Sequence, residues 1–207
     1  VLFRSLCLLL ATPTAYVMAR APERWRPLLL LAVIVPFWTS FLIRLYAWMF
    51  LLRDTGLINT GLQWMGLIHG PLPLLYNDGA VILGLVYGYL PFAVLPLYAT
   101  LERQDPALLE AAADLGAQPF RALMQVTLPL SSQGIWAASI LVFVPCLGTY
   151  LTSDLLGGSK TILIGNLVQN QFTTSRDWPF GAALSVALMA IATALMWMAR
   201  RRGQELL

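Results

Sequence analysis

The sequence predicts an all-α polytopic membrane protein, a bundle of about five spanning helices with the fold class of a transmembrane domain. Three observations lead there. Of 207 residues, 58% are hydrophobic and only 11% are charged, against about 25% charged in a soluble domain. Mean hydropathy is +0.72. Apolar runs of the length needed to cross a hydrocarbon core about 30 Å thick recur five times along the chain.

The runs are Leu6–Ala19, Pro27–Leu52, Ala80–Leu101, Ser132–Ser153 and Phe180–Ala199. The first is short. It follows VLFRS (Val1–Ser5), whose codons match a common sequencing-adapter end. These five residues are therefore expected to be an assembly artefact, with a native N-terminus missing. Leu6 onward resembles a signal peptide only superficially, because Pro13 lies inside the run and the arginines follow rather than precede it.

Arginines set the orientation. Arg20, Arg24, Arg26, Arg103, Arg121, Arg200, Arg201 and Arg202 fall on one side, eight in all, against Arg53, Lys160, Arg176 and Arg4 on the other. The positive-inside rule makes the first side, with the C-terminus, cytoplasmic. The formal charge of +3 comes from these short clusters, which form no continuous basic face, so no nucleic-acid partner is expected. Membrane lipid is the expected surrounding. The outer connections, 53–79 and 154–179, contain Trp64, Tyr76 and Trp178, residue types suited to the membrane–water interface.

Four runs contain proline: Pro13, Pro36, Pro91 with Pro96, and Pro145. Proline deletes a backbone donor and bends helices, so bent helices around a pathway are expected, against the alternative of ordinary packing. Gly84 and Gly88 form a GxxxG step, read as a close helix contact. Arg44 lies seventeen residues beyond Pro27, roughly 26 Å along a helix. It is expected to snorkel to the outer interface. Cys7 and Cys146 read as buried thiols.

The polar connection 102–129 is structured. Asp105–Pro106 opens a helix, ALLEAAADL is rich in helix formers, and Gly116 supplies a left-handed stop. Leu108, Ala112 and Leu115 are expected to share one face, with Glu110 and Asp114 opposite. These residues alone leave two readings open, a solvated acidic face and a helix built to dock in a partner.

The segment EAAADLGAQPFRALMQVTLP resembles the EAA signature of binding-protein-dependent ABC importer permeases of the type I fold. Glu110, Ala111, Ala112, Gly116, Val126, Leu128 and Pro129 occupy its positions, and Asp114 lies on the same acidic face as Glu110. PFWTSFLIRLYAWM, GYLPFAVLPLYATLER, DLLGGSKTILIGNLVQNQF and RDWPFGAALS look like the spermidine/putrescine branch. The resemblance covers nearly the whole chain as one permease domain. It implies that 102–129 is a coupling loop seated in a separate ATPase subunit. That subunit would hold ATP and Mg, this chain having no cofactor of its own. The other implied partners are a second permease subunit forming a heterodimer and a periplasmic substrate-binding protein. Pathway or gate candidates are Pro91, Pro96, Pro145, Thr149, Tyr150 and Asp154. Close relatives often carry LGEF where this chain has Leu147–Gly148–Thr149–Tyr150. The missing carboxylate leaves open other cargo such as ferric iron, phosphonate or an amino-acid-like solute.

Other function classes lack their residues. GGSKT at 157–161 has Ser159 where a Walker A loop has glycine. His69 is the single histidine, so no metal or base cluster can be built around it. No GxSxG occurs. The runs contain no clearly central acid of the kind an ion-coupled secondary transporter uses. The chain itself is not expected to be an enzyme.

Overall fold

The computed structural model describes residues 2–158 and 161–204, with side chains as far as Met198. Val1, Ser159, Lys160 and the side chains of Arg200, Arg201 and Arg202 lie outside the described residues. All regular structure among the described residues is helical: α1 (Leu2–Arg20), α2 (Arg26–Ile34), α3 (Phe41–Leu52), α4 (Leu57–Trp64), α5 (Asp78–Glu102), α6 (Ala107–Asp114), α7 (Pro119–Ala122), α8 (Leu128–Leu130), α9 (Ser132–Leu147), α10 (Leu151–Gly157), α11 (Ile164–Thr173) and α12 (Trp178–Gln204). Three helices, α1, α5 and α12, are long and apolar enough to cross a membrane singly, and two bent pairs bring the number to five.

Two predicted runs are not single helices. Pro27–Leu52 tightens into a 3₁₀ turn at Val35–Trp38 and breaks at Thr39–Ser40. Pro36 has no N–H to continue the ladder, and the Pro36 carbonyl is taken by side chains instead. Thr39 Oγ1 donates to it at 2.8 Å and Arg44 Nη1 at 3.4 Å. The Arg44 guanidinium lies 4.4 Å from the Phe37 ring centroid. Arg44 thus lies against Pro36 and Phe37 of the turn that precedes the break. Ser132–Ser153 likewise ends at Leu147, two residues past Pro145, and α10 starts afresh at Leu151. By contrast Pro13, Pro91 and Pro96 lie inside unbroken α1 and α5.

The chain divides into two compact units. The first comprises the described residues within 1–34, 89–143 and 194–207. Its core packs Cys7, Ala11, Ala15, Met18 and Ala19 of α1 with Ala93, Val94, Leu97, Tyr98 and Leu101 of α5 and Ala138 and Val142 of α9. The small residues on α1 recur every four positions, which lets backbones approach closely. They also explain why the Cys7 thiol is buried. Arg26 Nη1 meets Glu102 Oε1 at 3.4 Å. That oxygen also accepts from the Tyr98 hydroxyl at 2.7 Å.

The second unit comprises residues 35–88 and 144–193. Gly84 of α5 faces Leu156 and Thr152 of α10, and a Cβ there would lie 3.0 Å from Thr152 Cγ2 and closer still to Leu156. Gly88 faces Phe41. The GxxxG step is therefore a helix contact, as expected. Gly84→Ile should push α10 away and cost about 2 kcal/mol, read as a lower unfolding temperature in detergent.

The connections 53–79 and 154–179 are tied together within this unit. Asn59, fully buried, donates to Arg53 O at 3.2 Å and Leu72 O at 2.9 Å and accepts from Leu72 N at 2.9 Å. Tyr76, at φ 60°, donates its N–H to Leu156 O at 3.0 Å. Its ring lies against Gly158, itself at φ 55°. Thr161 donates to Asp78, and its carbonyl accepts from Ser153.

Candidate functional site

Two regions carry the predicted residues, one in each unit. The first is the connection after α5. Asp105 Oδ1 accepts from Ala107 N at 3.0 Å, satisfying a donor at the start of α6. At the other end Gly116, at φ 82°, donates its N–H to Ala113 O at 2.8 Å, and Ala117 N donates to Ala112 O at 3.0 Å. These paired bonds form a Schellman closure, and the left-handed residue between them favours glycine.

Every residue of α6 is at least partly exposed. The less exposed residues are Leu109 and Ala112, so of the expected face of Leu108, Ala112 and Leu115 only Ala112 is half-buried. Leu108 is exposed and Leu115 is 90% exposed, beside the exposed Glu110, Ala111 and Asp114. α6 packs against α7 and the turn that follows it. The outward surface is consequently both apolar and acidic.

The rest of the signature shapes the return to α9. Between α7 and α8 the chain widens into a π turn, Leu123–Thr127, in which Leu128 N donates to Leu123 O. Pro129 follows immediately. It lacks a donor and its ring would crowd the carbonyl four residues back, and a widened turn relieves that conflict. Val126 and Leu128 are half-buried and Pro129 is exposed. The run Pro119–Leu130 then meets α9 at 70°. Gln104, which the sequence did not single out, fastens the loop: Nε2 donates to Thr127 O at 3.1 Å and to Ser131 Oγ at 2.9 Å.

The second region surrounds the end of α9. A cavity of about 390 Å³ is lined by Val144, Leu147, Tyr150, Val168, Gln169, Ser185 and Leu188, among others. Tyr150 lines it directly. Asp154 is exposed one helical turn further on, its N–H bonded to Tyr150 O at 3.0 Å. Asn166, only 4% exposed, donates to Asp154 Oδ1 at 2.5 Å and to Tyr150 O at 3.3 Å, and accepts from Leu163 N at 3.0 Å. Thr149 Oγ1 donates to Pro145 O at 3.2 Å. The structure thus gathers Pro145, Thr149, Tyr150 and Asp154 around one segment of the second unit. Pro91 and Pro96 belong to the first unit, Pro91 buried and Pro96 half-buried. Asn166, Gln169 and Ser185 escaped the sequence reading, since isolated polar residues carry no spacing signal.

Residues 11–204 match the model of the family described as binding-protein-dependent transport system inner membrane component. The chain belongs to that family. As an inner-membrane transport component it is a multi-pass membrane protein, and both regions above lie within the matched residues. It is 46% identical over 198 residues to the spermidine/putrescine transport system permease protein PotB of Escherichia coli (strain K12), covering 94% of this chain and 72% of that protein. The PotB protein of Haemophilus influenzae is 44% identical over 201 residues, covering 97% and 70%. Similarity extends to the molybdenum transport system permease protein ModB of Mycobacterium bovis, 30% identical over 192 residues, covering 90% and 69%. Among solved structures, a bacterial ABC transporter involved in import of the acidic polysaccharide alginate superposes with a TM-score of 0.74 at 18% identity. That match covers 98% of this chain and 76% of that one, and it establishes the shared fold.

Proposed function

We propose that this inner-membrane component is the permease subunit of an ATP-driven importer that moves a polyamine, spermidine or putrescine, inward by alternating access. The cargo assignment is supported by 44–46% identity to spermidine/putrescine permeases over most of the chain. The coupling assignment is carried by one observation: α6 is closed at both ends by bonds from adjoining residues yet leaves Leu108, Glu110, Ala111, Asp114 and Leu115 exposed.

Such a surface suits a cleft in a separate ATPase subunit, which holds ATP and Mg. Glu110 and Asp114 meet a cation there, while Leu115 fills an apolar pocket. The eight-arginine side, the loop 102–129 and the C-terminus face the cytoplasm. Closure of the ATPase pair displaces the docked loop and switches the helices between inward-open and outward-open states, a rigid-body transition biased by a ligand on another subunit. A second permease completes the pathway as a heterodimer, and a periplasmic binding protein delivers cargo.

Co-purification tests the coupling. Tagged protein, expressed with the genes that flank its own, should bring down an ATPase. Glu110→Lys should weaken that association about 100-fold or more, the scale for reversing a desolvated charge at an interface. Undiminished ATPase recovery with Glu110→Lys and with Leu115→Glu would remove α6 from the interface.

A further inference from the structure

We infer that Tyr150 and Asp154 hold one protonated amine of the cargo while its methylene chain lies in the adjoining cavity, with Asn166 as the positioning residue that aims the carboxylate. This rests on the polyamine reading above and assigns it to atoms. A polyamine needs two unlike surroundings a few ångströms apart, an anion with an aromatic face for each ammonium and apolar walls for the methylenes. The cavity supplies the walls through Val144, Leu147, Val168 and Leu188, with Gln169 and Ser185 as neutral polar groups.

It contains no carboxylate of its own, but Asn166 Nδ2 reaches both the carbonyl of Tyr150, which lines it, and Asp154 Oδ1, so the carboxylate stands beside the Tyr150 backbone at the cavity's edge. Asp154 Oδ1 is held by Asn166. Among the described residues no partner is found for its other oxygen.

The remaining carboxylates on the outer connections have other tasks. Asp78 accepts from Thr161. Asp177 Oδ1 caps the start of α12 by accepting from Phe180 N at 3.1 Å. Asp54 shares a polar pocket with Arg53, which already supplies a cation. Asn166 is suited to positioning because its amide is fully engaged and nearly fully buried. It fixes the carboxylate without itself facing a ligand.

The same pairing of ammonium and apolar chain occurs in an ethanolamine phospholipid, so the test separates the two sources. The whole transporter, with its ATPase, partner permease and binding protein, is reconstituted in vesicles with and without phosphatidylethanolamine, and uptake of labelled spermidine is measured. Asp154→Asn should lower uptake kcat/KM about 10- to 100-fold, the range for losing a hydrogen bond to a charged group. Asp154→Glu should recover most of it. Val168→Trp, which fills the cavity, should also depress uptake. Asn166→Ala should raise KM with little change in kcat, and should add nothing in the Asp154→Asn background; a merely structural role would add in full.

If the parent transports no polyamine, the cargo reading falls. If the parent transports spermidine but Asp154→Asn and Val168→Trp stay within twofold of it, this subsite falls while the cargo reading stands. If the two variants matter only in vesicles containing phosphatidylethanolamine, the cavity is a lipid site and the inference is overturned.

Discussion

Replacing Asn59 by leucine is expected to destabilise the second unit by about 3 kcal/mol, although leucine has a similarly branched side chain and is apolar at a fully buried position. Asn59 pairs with both backbone groups of Leu72 and also reaches Arg53 O. Leucine strands the Leu72 N–H and carbonyl. The Arg53 carbonyl keeps its bond from Gly56 N at 2.8 Å. Two stranded backbone groups at 1–3 kcal/mol each set the scale, and partial access of water to Leu72 holds the figure toward the lower half. Asn59→Asp should be no milder, because it turns a carboxylate oxygen toward two carbonyl oxygens. Thermal unfolding in detergent, together with protease cutting between Met65 and Leu72, would show the effect. Wild-type protection in both variants would mean that the connection is held elsewhere.

Gly158→Ala should cost a similar amount for a different reason. A residue with a Cβ at φ 55° is strained by about 1–2 kcal/mol. Its Cβ would also lie 2.7 Å from Tyr76 Cγ and 2.9 Å from Tyr76 Cβ. Those atoms are the root of the side chain rather than a movable tip, and Tyr76 is fixed in turn by its own positive φ and its bond to Leu156 O. The combined loss is about 3 kcal/mol. Disulfide formation between Asp78→Cys and Thr161→Cys, which report the neighbouring tie, should become slower. Adding Tyr76→Gly should restore much of the loss, because it clears the space and relaxes the second left-handed residue together. If the double variant were worse than the sum of the singles, the collision account would be wrong.

Local chemistry was legible in the sequence and tertiary partnership was not. Asp105–Pro106 and Gly116 mark the ends of α6 because each acts within a few residues of itself. The α1, α5 and α12 spans follow from hydropathy and length. Hydropathy is blind to the backbone ladder, however, so Pro27–Leu52 read as one span although it breaks after Pro36. Pro91 and Pro96 are the same residue type in an equally apolar run, yet α5 stays whole, with Pro91 packed inside the first unit. What distinguishes them is their surroundings, which one sequence does not display.

The outer polar residues make the same point. Asn59 and Asn166 look like ordinary loop asparagines, and their partners stand up to sixteen positions away in the chain. The sequence marked the helix of the 102–129 loop, but not that Leu109 rather than Leu108 or Leu115 is its less exposed leucine, a choice left to the neighbouring segment.

The self-closed ends of α6 have a consequence for assembly. Because Asp105, Ala113 and Ala112 already engage terminal backbone groups, a helix that docks as proposed would keep its shape before an ATPase subunit arrives. Little ordering entropy is then lost on joining. Single side-chain changes on its outer surface should accordingly alter how long the joined subunits stay together far more than how fast they meet.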